Sequence, residues 1–261
     1  MTTINIDDRV YLKSDLLIDD SINHCFTTKC GGFSRGAVQG LNLGFRVGDD
    51  MDAVIKNYKL IADDMDFPYS RITAGRQTHS ANVRVITEND AGKGVSRDSE
   101  FMDVDGMVTN IRQLPLVVYY ADCVPILMAE RSAGVIAAVH SGWRGTVGEI
   151  AGNAINIMTE QFNAKAEDII AAIGPSIGQC CFETGSEVAN EFDDDLSIEC
   201  DNGKFMVDLW KANERILLKY GLKQKNIDVL EMCTMCNSDM LYSYRVNKGE
   251  TGRMGAFISL K

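Results

Sequence analysis

The sequence predicts an α+β (mixed α/β) chain in which β-sheets pack together and are flanked by helices. Two observations carry this. The runs Leu116–Tyr120 and Val135–Val139 are apolar without a break, as expected of strands covered on both faces. Strand-like runs also outnumber helical ones, and only three long stretches repeat their apolar residues with a helical period, which places helices outside sheets.

Taken in order, Asp50–Met65 is the first expected helix. Val54, Tyr58, Ile61 and Met65 share one face, and Pro68 bars continuation. Strands are expected at Val83–Ile86, Gly106–Val108, Leu116–Tyr120, Ile126–Ala129 and Val135–Val139. The second helix is expected over Thr146–Phe162, with Val147, Ile150, Ala151, Ala154, Ile157 and Met158 on one stripe. Thr146 and Glu149 have the spacing of a capping box, in which two side chains satisfy free amides at the helix start. Ile169–Ile173 is the next strand, followed by a weak helical signal at Ser186–Phe192. The third long helix is expected over Asp208–Tyr220, with Leu209, Ile216, Leu217 and Tyr220 inward and Gly221 at its end. Strands at Val229–Met232 and Gly255–Leu260 close the chain. No repeat, low-complexity tract or linker interrupts it, so residues 1–261 read as one domain.

Composition excludes several classes. A formal charge of −11, spread along the chain, disfavours a nucleic-acid partner. The longest apolar run is broken by Asp122, short of the roughly 18–20 residues of a membrane span. The start MTTINIDDRV lacks the basic and apolar segments of a secretory signal, so the expectation is a cytoplasmic protein without a membrane partner, a monomer or weak dimer. In that setting the eight cysteines read as thiols or metal ligands rather than a disulfide framework.

Any site that needs imidazole must draw on His24, His79 and His140. His140 ends the buried run 134–139, just before a glycine-rich turn, a common place for a functional side chain. Cys123 follows the other buried run, and His79 lies in the polar segment Arg76-Gln77-Thr78-His79. One Cys and two His suit zinc with one coordination position left open. From residues alone, a packed cysteine and two hydrogen-bonded histidines are the commoner outcome of such a pattern. Ser141–Gly145, leading into the expected helix, offers an anion cradle, with Arg144 as a fork of donors. Lys29 with Gly31-Gly32, and Arg46, are further candidates for binding an anion. Asp122 is expected to orient an imidazole, and Asp105 to do likewise, to act as a general acid or to cap a turn. Cys233-Thr-Met-Cys236 has C-x-x-C spacing but follows a strand instead of opening a helix, which argues against redox chemistry. Cys180-Cys181 is expected to be a buried turn beside the site rather than a ligand pair, and His24 to be structural or pocket-lining.

The blocks His24-Cys-Phe-Thr-Thr-Lys-Cys-Gly-Gly-Phe-Ser34, Leu41-Asn-Leu-Gly44, Val47-Gly-Asp-Asp50, Arg76-Gln-Thr-His79, Asp105-Gly106, Ala121-Asp-Cys-Val-Pro125, Val139-His-Ser-Gly-Trp-Arg-Gly145, Ile173-Gly-Pro-Ser-Ile177, Cys181-Phe-Glu183, Ser243-Tyr-Arg245 and Gly252-Arg253 occur in that order. Together they resemble the laccase-domain (YfiH/YlmD-like) family of purine nucleoside phosphorylases, over about residues 23–261. The resemblance implies that His79, Cys123 and His140 hold zinc and form the catalytic centre. It implies phosphorolysis of adenosine, inosine and S-methyl-5'-thioadenosine with phosphate, and adenosine deaminase activity at the same site. It places Lys29, Asn42, Arg46, Arg76, Gln77 and Arg144 on the substrate side. It also implies a fold shared distantly with cysteine hydrolases of the cytotoxic-necrotising-factor type. Lys29 stands where the family often has Arg, and Arg46 where many members have His.

Other chemistries remain open to the same residues. A multicopper oxidase needs on the order of ten histidines, which three cannot supply. A single copper at the same ligands could give weak phenol oxidation. A metal-free cysteine hydrolase would use Cys123 as nucleophile with His140 or His79 as base, on an amide or ester such as a cell-wall precursor.

Overall fold

The computed structural model describes all residues from Met1 to Lys261. Two six-stranded sheets lie face to face, with helices on the outer side of each. The strands are β1 (Thr2–Ile6), β2 (Arg9–Lys13), β3 (Ile22–Thr27), β4 (Thr73–Ala74), β5 (Val83–Val85), β6 (Gly106–Thr109), β7 (Leu116–Tyr120) and β8 (Val124–Glu130). They continue as β9 (Val135–Ser141), β10 (Ile170–Ile173), β11 (Glu183–Thr184), β12 (Ser197–Glu199), β13 (Phe205–Val207), β14 (Ile227–Val229) and β15 (Met254–Leu260). The helices are α1 (Met51–Met65), α2 (Trp143–Val147), α3 (Ile150–Phe162), α4 (Ser186–Ala189) and α5 (Leu209–Lys219).

The first sheet runs β1-β2-β3-β15-β7-β4, and only its β4–β7 pair is parallel. The second runs β14-β10-β8-β9-β6-β5, with parallel pairs at its two edges. A third sheet, β11-β13-β12, has three strands. Alternation along each strand builds the layers. Leu116, Val118 and Tyr120 of β7 face Leu127, Ala129, Ile136 and Ala138 in the core between the sheets. Val117 and Phe257 point the other way, under Val54, Tyr58 and Ile61 of α1. Ile126, Met128, Val135 and Val139 lie under Ile150 and Ala154 of α3 and Leu209 and Leu217 of α5. Both faces are thus covered, which is why these runs carry no polar alternation. Each fully buried Val, Leu, Ile, Met or Phe among them contributes about 1.5–3 kcal/mol.

Helices α1 and α5 begin where expected. Asp50 Oδ1 accepts the Asp52 amide at 3.0 Å and Asp208 Oδ1 accepts the Lys211 amide at 2.9 Å, each satisfying a free donor at a helix start. The expected helix over Thr146–Phe162 is instead two. Gly142 precedes α2, and Thr146 N already donates to Gly142 O at 2.8 Å. Glu149 adopts a left-handed φ of 54°, and its carboxylate accepts from Lys219 Nζ at 2.6 Å and Tyr220 OH at 2.8 Å. Drawn toward α5, Glu149 cannot close the capping box, and α3 starts one residue later. The Ser186–Phe192 signal shortens to α4.

The sheet built from β1, β2 and β3 was not expected. β3 (INHCFT) interrupts its apolar residues with Asn23 and His24, yet it is a central strand. His24 is buried there, with Nε2 accepting the Ser14 amide at 3.1 Å. It also lines a cleft with Lys13 and Lys261. No helix is long and apolar enough to cross a membrane.

Candidate metal centre

β8 and β9 are antiparallel neighbours with Pro125 opposite His140. His140 continues the inner-facing parity of Ile136 and Ala138, and Cys123, just before β8, continues that of Leu127 and Ala129. Both therefore point to the same end of the inter-sheet layer. His79 arrives from the turn between β4 and β5. The side-chain donor atoms of His79, Cys123 and His140 all lie within 4.8 Å of one another. The two imidazole rings meet edge to face, with centroids 5.0 Å apart. His140 is buried, Cys123 half-buried and His79 exposed, so the cluster opens to solvent on the His79 side.

One carboxylate organises both histidines. Asp105, just before β6, is fully buried. Its Oδ1 contacts His140 Nδ1 at 2.8 Å, and its main-chain oxygen accepts the His140 amide at 2.8 Å. The same carboxylate accepts the amides of Thr78 (2.8 Å), His79 (3.0 Å) and Ser80 (3.0 Å) and the Ser80 hydroxyl (3.1 Å). These bonds hold His79 at a left-handed φ of 65°, a conformation costing roughly 1–3 kcal/mol in a non-glycine residue. Burial pushes the Asp105 carboxyl up, but His140 and the turn amides overcome this and hold it at about 2. With Nδ1 engaged by a carboxylate, His140 is left with Nε2 for the cluster, the arrangement that fixes the tautomer of a ligating histidine. Asp105 thus both caps the turn and orients an imidazole.

Asp122 does not orient an imidazole. Its carboxylate accepts Thr234 Oγ1 at 2.6 Å and the Arg245 amide at 2.7 Å. These bonds hold Asp122 at φ 90° and set the direction from which Cys123 enters.

Charge on the cluster is mutual. Burial pushes the Cys123 thiol up, but His140 and His79 outweigh it and the thiol falls below its ordinary value. Burial pushes His140 down, but Cys123 and Asp105 outweigh that and raise it. The cluster favours a thiolate, the form in which cysteine ligates metal. A backbone without a side chain passes close by. A Cβ on Gly142 would lie 3.1 Å from His79 Cδ2 and 3.3 Å from Cys123 Sγ. A thiolate and two imidazoles, one of them backed by a carboxylate, fit zinc with a position left over.

The expected substrate-side residues fall into two groups. Asn42 is buried and its amide is fully engaged: Oδ1 accepts Gly44 N (2.9 Å) and Arg253 N (2.8 Å), and Nδ2 donates to Asp49 Oδ2 (2.7 Å). Gln77 exchanges two bonds with the Tyr119 backbone, at 2.8 and 2.7 Å, tying the His79 turn to the end of β7. Lys29 is half-buried, with Nζ on Ser238 O. Arg46, Arg76 and Arg144 are exposed. Arg76 Nη1 lies 3.7 Å from Met102 Sδ, and the Arg144 guanidinium stacks 4.1 Å over the Trp143 ring.

Sequence reading assigned no role to Arg253. Half-buried before β15, it donates from Nη1 to Thr251 O (2.9 Å) and Gly252 O (3.0 Å). Burial lowers its pKa, and the charges of Cys123, Tyr244 and Asp122 act in the opposite direction. The available signal was its place in the Gly252-Arg253 block, directly ahead of a strand whose only polar residue is Ser259.

Similarity to known proteins is extensive. The family described as "Multi-copper polyphenol oxidoreductase laccase" matches residues 23–261. A protein named purine nucleoside phosphorylase YlmD, from Geobacillus stearothermophilus, is 37% identical over 89% of this chain and 88% of its own. A protein named adenosine deaminase RL5, from an unknown prokaryotic organism, is 35% identical over 86% of this chain and 90% of its own. The crystal structure of YlmD from Geobacillus stearothermophilus superposes with a TM-score of 0.92 at 33% identity, covering 99% of this chain and 98% of that one.

Proposed function

Since the chain belongs to the laccase-like family, whose members named above include a purine nucleoside phosphorylase, we propose that it is a zinc-dependent purine nucleoside phosphorylase. Its substrates are adenosine, inosine or S-methyl-5'-thioadenosine, with phosphate. The observation that carries this reading is the convergence of His79, Cys123 and His140 donors within 4.8 Å, with Asp105 behind His140. His79, Cys123 and His140 would hold the ion, which when bound supplies Lewis acidity and lowers the pKa of water. Copper at the same ligands is the lesser alternative.

In phosphorolysis a phosphate oxygen bonds to C1' of the ribose as the C1'–N9 bond breaks and its electron pair stays on the purine. The residues of this chain bind, orient and shield. Arg253, half-buried near Cys123, and the exposed Arg144, Arg46 and Arg76 supply cations for the phosphate. Lys29, held on Ser238 O, braces the neighbouring loop. Asn42 and Gln77 act by positioning, since their amides are already bonded to backbone and to Asp49.

A second reading at the same centre is adenosine deamination, supported by the relative of that name. Water oxygen replaces the amine at C6, and ammonia leaves. Cys123, His140 and Asp105 are also the parts of a thiol-hydrolase triad. That chemistry gives no work to His79, the third donor on the same cluster. Purified, zinc-loaded protein with adenosine and phosphate, followed by chromatography, tests the proposal. Adenine supports phosphorolysis, inosine supports deamination, and hypoxanthine supports both in sequence. None of the three with zinc fully loaded refutes both.

A further inference from the structure

We propose that Cys180, Cys181, Cys233 and Cys236 form a second zinc site, an all-thiolate one, that pins together the two loops gripping Asp122. Their four sulfurs all lie within 4.8 Å of one another. The Cys181–Cys236 and Cys180–Cys236 sulfur pairs are 3.5 and 3.7 Å apart. Sulfurs placed ~2.3 Å from a tetrahedral zinc stand ~3.8 Å from each other, whereas a disulfide requires ~2.05 Å. All four cysteines are free. The separations are those of ligands around one ion. Four soft donors select zinc or iron, and zinc binds such sites more strongly than ferrous iron.

The backbone around the cluster is arranged to bring the thiols together. The 174–183 and 230–245 loops meet through a parallel bridge between Ser176 and Cys233. Ser176 N donates to Met232 O (3.2 Å) and Thr234 N to Ser176 O (3.0 Å). Gly178 N donates to Cys233 Sγ at 3.3 Å, a bond that offsets charge on a coordinating sulfur. A Cβ on Gly178 would come within 3.3 Å of Cys180 Sγ, 3.4 Å of Cys233 Cβ and 2.9 Å of Trp210 Cη2, so this close approach depends on glycine. Cys233 is buried while Cys180 and Cys236 are exposed and Cys181 is half-buried, so Cys180-Cys181 is a turn but not the buried one expected, and an entry path is left for the ion.

The consequence reaches the first centre. Ile177 N donates to Asp122 O at 2.8 Å, and Thr234 Oγ1 and the Arg245 amide hold its carboxylate. Asp122, at φ 90°, precedes Cys123. The four-thiolate ion fixes the loops that fix Asp122, and so the position of Cys123.

The experiment counts metal on the full chain by mass spectrometry after purification without added metal. Cys123→Ala is expected to retain about one zinc per chain. Adding Cys181→Ser and Cys236→Ser is expected to remove it. Cobalt-loaded Cys123→Ala should show the intense thiolate-to-metal absorption of tetrahedral sulfur coordination, whether or not the multiple variant folds. Folded Cys123→Ala without zinc would overturn the proposal. So would iron in its place, or a disulfide among these four cysteines in alkylated peptides of the purified protein. None of these outcomes bears on phosphorolysis, so this proposal and the functional one fail separately.

Discussion

His140 and Asp105 meet twice, through imidazole Nδ1 on carboxylate Oδ1 and through the His140 amide on the Asp105 carbonyl, both at 2.8 Å. The side-chain contact sets the tautomer, and the backbone contact sets the register of β9 against the β6 entry. Asp105→Asn keeps the shape but puts an N–H₂ group among N–H donors. Metal affinity at the His79–Cys123–His140 centre should fall roughly 10–100-fold, read by chelator competition as the metal lost from Asp105→Asn beside wild type and Cys123→Ala, with all four of Cys180, Cys181, Cys233 and Cys236 left in place. Stability should fall by about 1–3 kcal/mol for the donors left unpaired.

Gly142→Ala tests the crowding of the centre. The new methyl would need space 3.1 Å from His79 Cδ2 and 3.3 Å from Cys123 Sγ. Circular dichroism should be unchanged while metal affinity and turnover drop together. Unchanged metal affinity would show that the cluster yields without cost.

Asn42→Ala and Arg144→Ala should separate positioning from binding. Asn42 is buried and bonded to Gly44, Asp49 and Arg253, so its loss should cost about 2–4 kcal/mol and lower Tm. Arg144 is exposed, so its loss should leave Tm nearly unchanged and raise KM for phosphate more than it lowers kcat. A reversed pattern would reverse the two assignments.

His24 makes a prediction about acid. Burial, and then the nearby charge of Lys13, lower its pKa to about 3, and its Nε2 lone pair is occupied by the Ser14 amide. In the unfolded chain a histidine titrates near 6.5. The unfolded state therefore binds the extra proton between these values, and stability falls as pH drops from about 6.5 toward 3, by at most about 1.4 kcal/mol per pH unit. Urea melts should show His24→Gln with a shallower decline across that window. Parallel declines would mean that His24 is protonated in the fold.

Legibility in the sequence followed burial. β7 and β9 were readable because both their faces are covered, and α1 and α5 because cap, stripe and stop agree. β3 was not, because His24 and Asn23 break its apolar run although their polar atoms find partners inside. The capping box at Thr146 failed for a tertiary reason, the pull of Lys219 and Tyr220 on Glu149. His79, Cys123 and His140 were singled out by strand-end position and donor chemistry, and as a set by the resemblance, since residues so far apart in the chain carry no local spacing signal; the fold brings their donors within 4.8 Å of one another. Asp105 was expected to orient an imidazole, to act as an acid or to cap a turn; the fold has it do the first and the last. The four-cysteine cluster was missed because neither half looks like a ligand set until Ser176 and Cys233 pair.

The most direct test of the account is phosphorus NMR of adenosine and phosphate with metal-counted wild type beside Cys123→Ala. The expected result is a sugar-phosphate signal from wild type alone, with the variant short of about one zinc per chain. Sugar phosphate formed at the wild-type rate by a variant that has lost that zinc would contradict it.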